Sequence, residues 1–263
     1  MSLIGISLPV YLNSVPFLYG LQHSGMDAYA DIQPDIPSVC ADRLRRGQVD
    51  VGLVPVVEMF RIPSARVVSR WCIGAQGVIR TVILASAVPL EQVDTVYLDA
   101  HSRTSVTLAR LLAREYWQIA PRWVYGIEQM NGTPSGRSGI VLIGDKAFDV
   151  QAPYVYDLGE QWQLFTGLPF VFAAWIANRE LPQPWLARME DGLSLGVGQL
   201  DEVLREWTPR VSSHIDLDTY WKKQVDFHLD APKEQAMALF LEKVRQGGYA
   251  SYLPEDGTVP DFL

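Results

Sequence analysis

The chain has two cysteines, four histidines and a shortage of positive charge, and each scarcity closes off a class of chemistry. Cys40 and Cys72 are too few for a disulfide framework or a multi-cysteine metal site. His23, His101, His214 and His228 show no metal-ligand spacing, and HExxH is absent. Walker A and GxGxxG loops are missing, which leaves nucleotide binding without a motif. Lysine and arginine number 22 against 30 acidic residues, for a net charge of -8. Nothing supplies the basic footprint of a nucleic-acid or anionic-membrane partner. The one tight basic cluster, "RLRR" at 43–46, falls at the end of an expected helix, where cations suit the dipole. No apolar run reaches transmembrane length, and the N-terminus lacks the basic region, apolar core and cleavage site of a signal peptide. The expectation is a cytoplasmic protein.

What is present is an ordinary globular mixture, 48% hydrophobic and 20% charged over 263 residues, enough for one large or two modest cores. Short apolar runs alternate with helical patterns, which reads as α/β. Strands are expected at 3–8, 49–54, 67–73, 81–85, 95–98, 122–125, 139–143 and 170–177, several of them continuously apolar, as suits a sheet covered on both faces. Helices are expected at 15–23, 38–46 (capped by Ser38), 102–117, 217–227 and 237–247. A further helical region, 184–207, is expected to break at its glycines, Gly192, Gly196 and Gly198. A polar connector at 85–94 and a return at 172–184 suggest one discontinuous domain, 1–86 with 178–263, and an inserted one, 87–177. A cleft between such domains is a favoured place for a small ligand.

Four stretches stand at strand ends. In "VYLNSVPF", Asn13 and Ser14 read either as helix caps or as the lip of a binding site. In "HSRTSV", Ser102, Thr104 and Ser105 surround a helix start; capping needs one of them, whereas a carboxylate cradle uses all three. Arg103 adds charge there or points into solvent. "LIGDKAF" sets Asp145 after Gly144, as a cap or at a cleft edge. "FTGLPFVFAAW" reads as core or as a loop closing over a ring. His101, two residues after Asp99, is read as structural rather than as an acid–base group.

These stretches occur together and in order. "YLNSVPF", "SRTSVTLARLLAREYW", "LIGDKAF" and "YVYDLGEQWQLFTGLPFVFAAW" resemble the chorismate dehydratase family of the futalosine route to menaquinone, over roughly residues 4–178. The resemblance implies an α/β, two-lobed fold with a central cleft, similar to the type II periplasmic solute-binding proteins. It implies removal of water from chorismate to give 3-[(1-carboxyvinyl)oxy]benzoate, with no metal or organic cofactor and a monomer or homodimer. Asn13 matches the family's functional Asn and Thr81 stands where many relatives have a functional Ser. Ser14, Ser102, Thr104, Ser105, Asp145, Thr166, Gly167, Leu168, Pro169 and Phe170 fall in the substrate-binding stretches. Two other readings stay open: a solute-binding module without chemistry, and the sister 1,4-dihydroxy-6-naphthoate synthase.

Overall fold

A computed structural model describes residues 3–99, 102–127 and 133–249. His101 lies outside the described residues. The chain runs β1 (Ile4–Pro9), α1 (Val15–His23), β2 (Ala30–Asp35), α2 (Pro37–Arg45), β3 (Val51–Pro55) and β4 (Arg66–Ala75). It continues through β5 (Val82–Ser86), β6 (Thr95–Leu98), α3 (Arg103–Glu115), β7 (Arg122–Tyr125), β8 (Ser138–Ile143), β9 (Tyr154–Asp157) and α4 (Leu158–Thr166). Last come β10 (Phe170–Ala177), α5 (Gln183–Gly198), α6 (Leu200–Trp207), α7 (Leu217–Thr219), β11 (Asp226–His228) and α8 (Ala231–Gly247).

Two compact units result. The first joins the chain up to Gly74 with Val171–Asp230, and the second joins Ala75–Phe170 with the chain from Ala231. The first carries a six-stranded sheet in the order β11-β4-β10-β3-β1-β2, the second a five-stranded sheet in the order β7-β6-β8-β5-β9. The strands read from continuous apolar runs are buried throughout, β3 and β8 at every position. Three strands escaped that reading. β2 ("ADIQPD") is a polar, proline-containing edge, β9 is an edge with Tyr154 and Val155 exposed, and β11 has three residues.

The unit boundaries fall at 74/75 and 170/171, and α8 goes with the middle segment. The reason is aromatic packing. Phe240 of α8 meets Trp162 and Phe170 edge-on, with ring centroids 6.0 and 5.0 Å away, and Lys243 pairs with Glu115 of α3 at 2.7 Å.

In the first unit α5 runs unbroken through Gly192 and Gly196, and the expected interruption comes only at Gln199. Those two glycines are contact points. A Cβ on Gly196 would lie 1.8 Å from the Pro16 carbonyl oxygen, and one on Gly20 would lie 2.1 Å from that of Gly192. Backbones of α1 and α5 therefore touch directly. The helix expected at 217–227 is instead α7, a π-helical turn at Tyr220–Gln224, and β11 pairing antiparallel with β4. Ser38 is not a cap: Ile36 holds that position and Pro37 opens α2, where its missing N–H costs nothing.

The glycine contact sets an expectation. Gly196→Ala should destabilise the chain by about 3 kcal/mol, because backbone must move to admit the methyl group. Gly198→Ala, which meets nothing within 4 Å, should be neutral or more stable by up to about 1 kcal/mol. Urea unfolding of the two variants measures the difference.

Candidate functional site

In the first unit β1 delivers the chain into a short 3-10 turn, Leu12–Ser14, ahead of α1. Ser14 stands at the cap position of α1, but its side chain does not cap. Its hydroxyl turns back onto the carbonyls of Pro9 and Tyr11, at 2.6 and 2.8 Å. The cap alternative does not describe Ser14: it is buried, and its hydroxyl pins the turn. Asn13 differs. It is half-buried, and its side-chain oxygen is enclosed with no hydrogen-bond partner among the described residues. An enclosed acceptor left open in this way is uncommon and calls for a donor. Across the turn the indole N–H of Trp221, from the π-helical turn, donates to the Leu12 carbonyl at 2.8 Å. The backbone on both sides of Asn13 is thus tied down.

In the second unit the strand register gathers the remaining candidates. β6 and β8 are parallel and finish together (Leu98↔Val141), while β5 runs antiparallel from the same end (Val82↔Ile143). Thr81 precedes β5, Ser102 follows β6, and Gly144–Asp145 follow β8, so one end of one sheet holds all of them. The Gly144 N–H donates to the Thr81 carbonyl at 2.9 Å, and Lys146 pairs with the buried carboxylate of Asp99. Thr81 is fully buried. Ser102 occupies the cap position of α3 without a side-chain capping bond, and Thr104 and Ser105 are also buried in the first turn. Ser102 therefore does not realise the capping role. Arg103 is 2% exposed, so it does not point into solvent. Burial pushes the nearby Tyr125 phenol up, opposed by the positive charges of Arg110 and Arg103. Asp145 is half-buried; the cap position of its 3-10 turn is Gly144, in a positive-φ conformation.

Residues 166–170 close α4. The Thr166 hydroxyl donates to the Trp162 carbonyl at 2.8 Å and accepts the Leu168 N–H, and Gly167 takes the left-handed conformation that ends the helix. The Pro169 carbonyl accepts the Trp162 indole N–H, and Phe170 packs on the same ring. These residues have internal work, with only Gly167 exposed.

The family profile described as menaquinone biosynthesis matches residues 4–246. The chain belongs to the menaquinone biosynthesis family. A member with a stated activity, the chorismate dehydratase of Thermus thermophilus, is 26% identical over 275 residues, covering 95% of this chain and 98% of that one. An ABC transporter structure from Parabacteroides distasonis superimposes with a TM-score of 0.63 at 16% identity, covering 100% of both chains. The periplasmic aliphatic sulphonate binding protein of Escherichia coli does so with a TM-score of 0.57 at 13% identity, covering 97% of this chain and 94% of that one. These likenesses show the fold: a menaquinone-biosynthesis protein built on the α/β architecture of periplasmic solute-binding proteins.

Two residues of this family member were not singled out from sequence. Asp157 ends β9 and caps α4, and its carboxylate accepts four backbone N–H groups. The pattern Asp157…Glu160 is the signature of such a cap and was legible. Burial pushes its carboxyl above the ordinary aspartate value, while the four N–H groups pull it back. Trp221 had no local signal, because its bond to Leu12 spans 209 residues.

Neither cysteine is available for chemistry. Burial pushes the Cys40 thiol up to about 12, against the opposing pull of the Ser7 hydroxyl, and Cys72 is wholly enclosed. A thiol reagent at about pH 8, near the free thiol's own pKa, should therefore label neither cysteine in the folded protein and both after unfolding. Counting labelled thiols by mass spectrometry checks this.

Proposed function

We propose that the protein is a chorismate dehydratase, converting chorismate to 3-[(1-carboxyvinyl)oxy]benzoate and water within menaquinone biosynthesis. The observation that carries the reading is the likeness, across nearly the whole of both chains, to a protein of that activity. The residues gathered at the sheet ends suit the chemistry. Chorismate loses its C3 proton and its C4 hydroxyl, and the ring becomes aromatic. The ring carboxylate, conjugated with the C1–C2 double bond, takes up charge as the C3 proton leaves. Donors that hold this carboxylate lower the barrier.

Ser102, Thr104 and Ser105 offer hydroxyls in the first turn of a 13-residue helix, beside the N–H groups of its N-terminus. This set binds a carboxylate without stripping a proton from any side chain. Thr81, where relatives carry Ser, supplies a further hydroxyl at the same sheet end. Asn13 brings an amide whose enclosed oxygen matches the proton of the departing C4 hydroxyl, while its N–H groups match a carboxylate. Asp145, at the same sheet end, would repel a dianionic substrate unless its carboxyl is protonated or turned away. Ser14 and residues 166–170 contribute shape, their polar groups being engaged internally. No histidine is assigned to the proton transfer; the substrate's enolpyruvyl carboxylate takes the C3 proton and passes it to the departing C4 hydroxyl, which leaves as water, so that positioning dominates the rate.

The protein acts in the cytoplasm as a monomer or homodimer. Among the described residues no helix is long and apolar enough to cross a membrane.

Incubation with chorismate should yield the aromatic carboxyvinyloxy-benzoate, followed by chromatography and mass spectrometry. Binding of chorismate without turnover would favour a solute-binding module instead. Asn13→Ala should lower kcat by about 100- to 1,000-fold with an unchanged unfolding midpoint. Wild-type turnover in that variant would remove Asn13 from the site.

A further inference from the structure

The Asp157 carboxylate does more than its position as a helix cap requires. Capping α4 uses two of its bonds, to the N–H groups of Gly159 and Glu160 at 3.0 and 3.2 Å. The other two reach a chain segment almost eighty residues away, at Ile79 (3.1 Å) and Arg80 (2.7 Å). Arg80 has a φ of 72°, a left-handed conformation that a residue with a side chain rarely adopts without outside support. Gly77, at φ 97°, lies with its carbonyl oxygen only 2.6 Å from where a Cβ on Gly159 would stand. The segment 77–80 is thus seated on the first turn of α4 and held by one buried side chain. The next residue is Thr81.

We propose that Asp157 is a positioning residue, which fixes the Thr81 hydroxyl by anchoring the strained backbone before it. This rests on the reading that places Thr81 in the dehydratase site. Two neighbours bear on the Thr81 backbone, the Gly144 N–H on its own carbonyl and Arg80 behind it. The first only pairs a strand. The second sets the direction from which the chain enters β5, and so the direction of the Thr81 Cα–Cβ bond. Without an acceptor for the buried N–H of Ile79 and the part-buried N–H of Arg80, Arg80 returns to an ordinary conformation and the hydroxyl turns with it. Asp157 touches no reacting atom; it acts through position.

Asp157→Ser separates its two roles, because serine caps a helix about as well as aspartate but is too short to hold a second segment. In that variant kcat should fall by about tenfold or more while KM changes by less than about threefold, the pattern of an interaction lost in the transition state. Thr81→Val keeps the volume and removes the hydroxyl, and should also lower kcat. The double variant should be no slower than Thr81→Val alone, since both changes act on one group. Hydrogen exchange should accelerate at residues 79–82 in Asp157→Ser and stay unchanged in β6 and β8. Equal loss from Asp157→Ser in the wild-type and Thr81→Val backgrounds, or unaltered exchange at 79–82, would overturn the role given to Asp157. Wild-type turnover in Thr81→Val would overturn it through its premise. A protein that does not turn over chorismate at all would sink the dehydratase reading instead, and the exchange measurement still decides whether Asp157 holds the segment.

Discussion

Buried backbone N–H groups must find acceptors, and in the second unit one carboxylate answers four of them. Ionised carboxylate oxygens accept strongly and from several directions, so Asp157 satisfies a helix start and a left-handed turn at once. The opposing effects on its pKa record the same balance, burial against the bonds that compensate it. Around this anchor the sheet end is assembled from ordinary strand pairing. Thr81 meets Gly144 because β5 pairs with β8, and the α3 hydroxyls follow because β6 runs parallel to β8.

The first unit solves a similar problem with other groups. Its 3-10 turn is held by a serine hydroxyl from within and an indole N–H from far along the chain, which leaves Asn13 as the residue with an open acceptor. Each unit presents small polar groups at strand ends.

Much of this was legible in the sequence, because continuous apolar strands and amphipathic helices follow local rules. β3, β8 and α3 are of that kind. The residues at strand ends were legible for the same reason: where a strand ends can be read, the next few residues become candidates. What escaped depends on long-range partners. β2 and β9 are edges without a strong apolar pattern, and β11 exists only because β4 offers it a partner. α8 joins the second unit through Phe240, whose ring partners lie some seventy residues and more upstream. That neither Ser14 nor Ser102 caps its helix was also not legible. Both stand at cap positions, yet the Ser14 hydroxyl prefers two nearby carbonyls and that of Ser102 makes no cap.

The contact between α1 and α5 has a consequence for how such a protein drifts over time. Where two helices meet through side chains, each substitution shifts their spacing a little, and errors accumulate at whatever the helices carry. Here Pro16, Gly20, Gly192 and Gly196 set the spacing by backbone against backbone, with no side chain to vary. The turn bearing Asn13 opens directly into α1. The spacing of α1 against α5 is thus fixed by main chain, immediately after the turn that holds this asparagine.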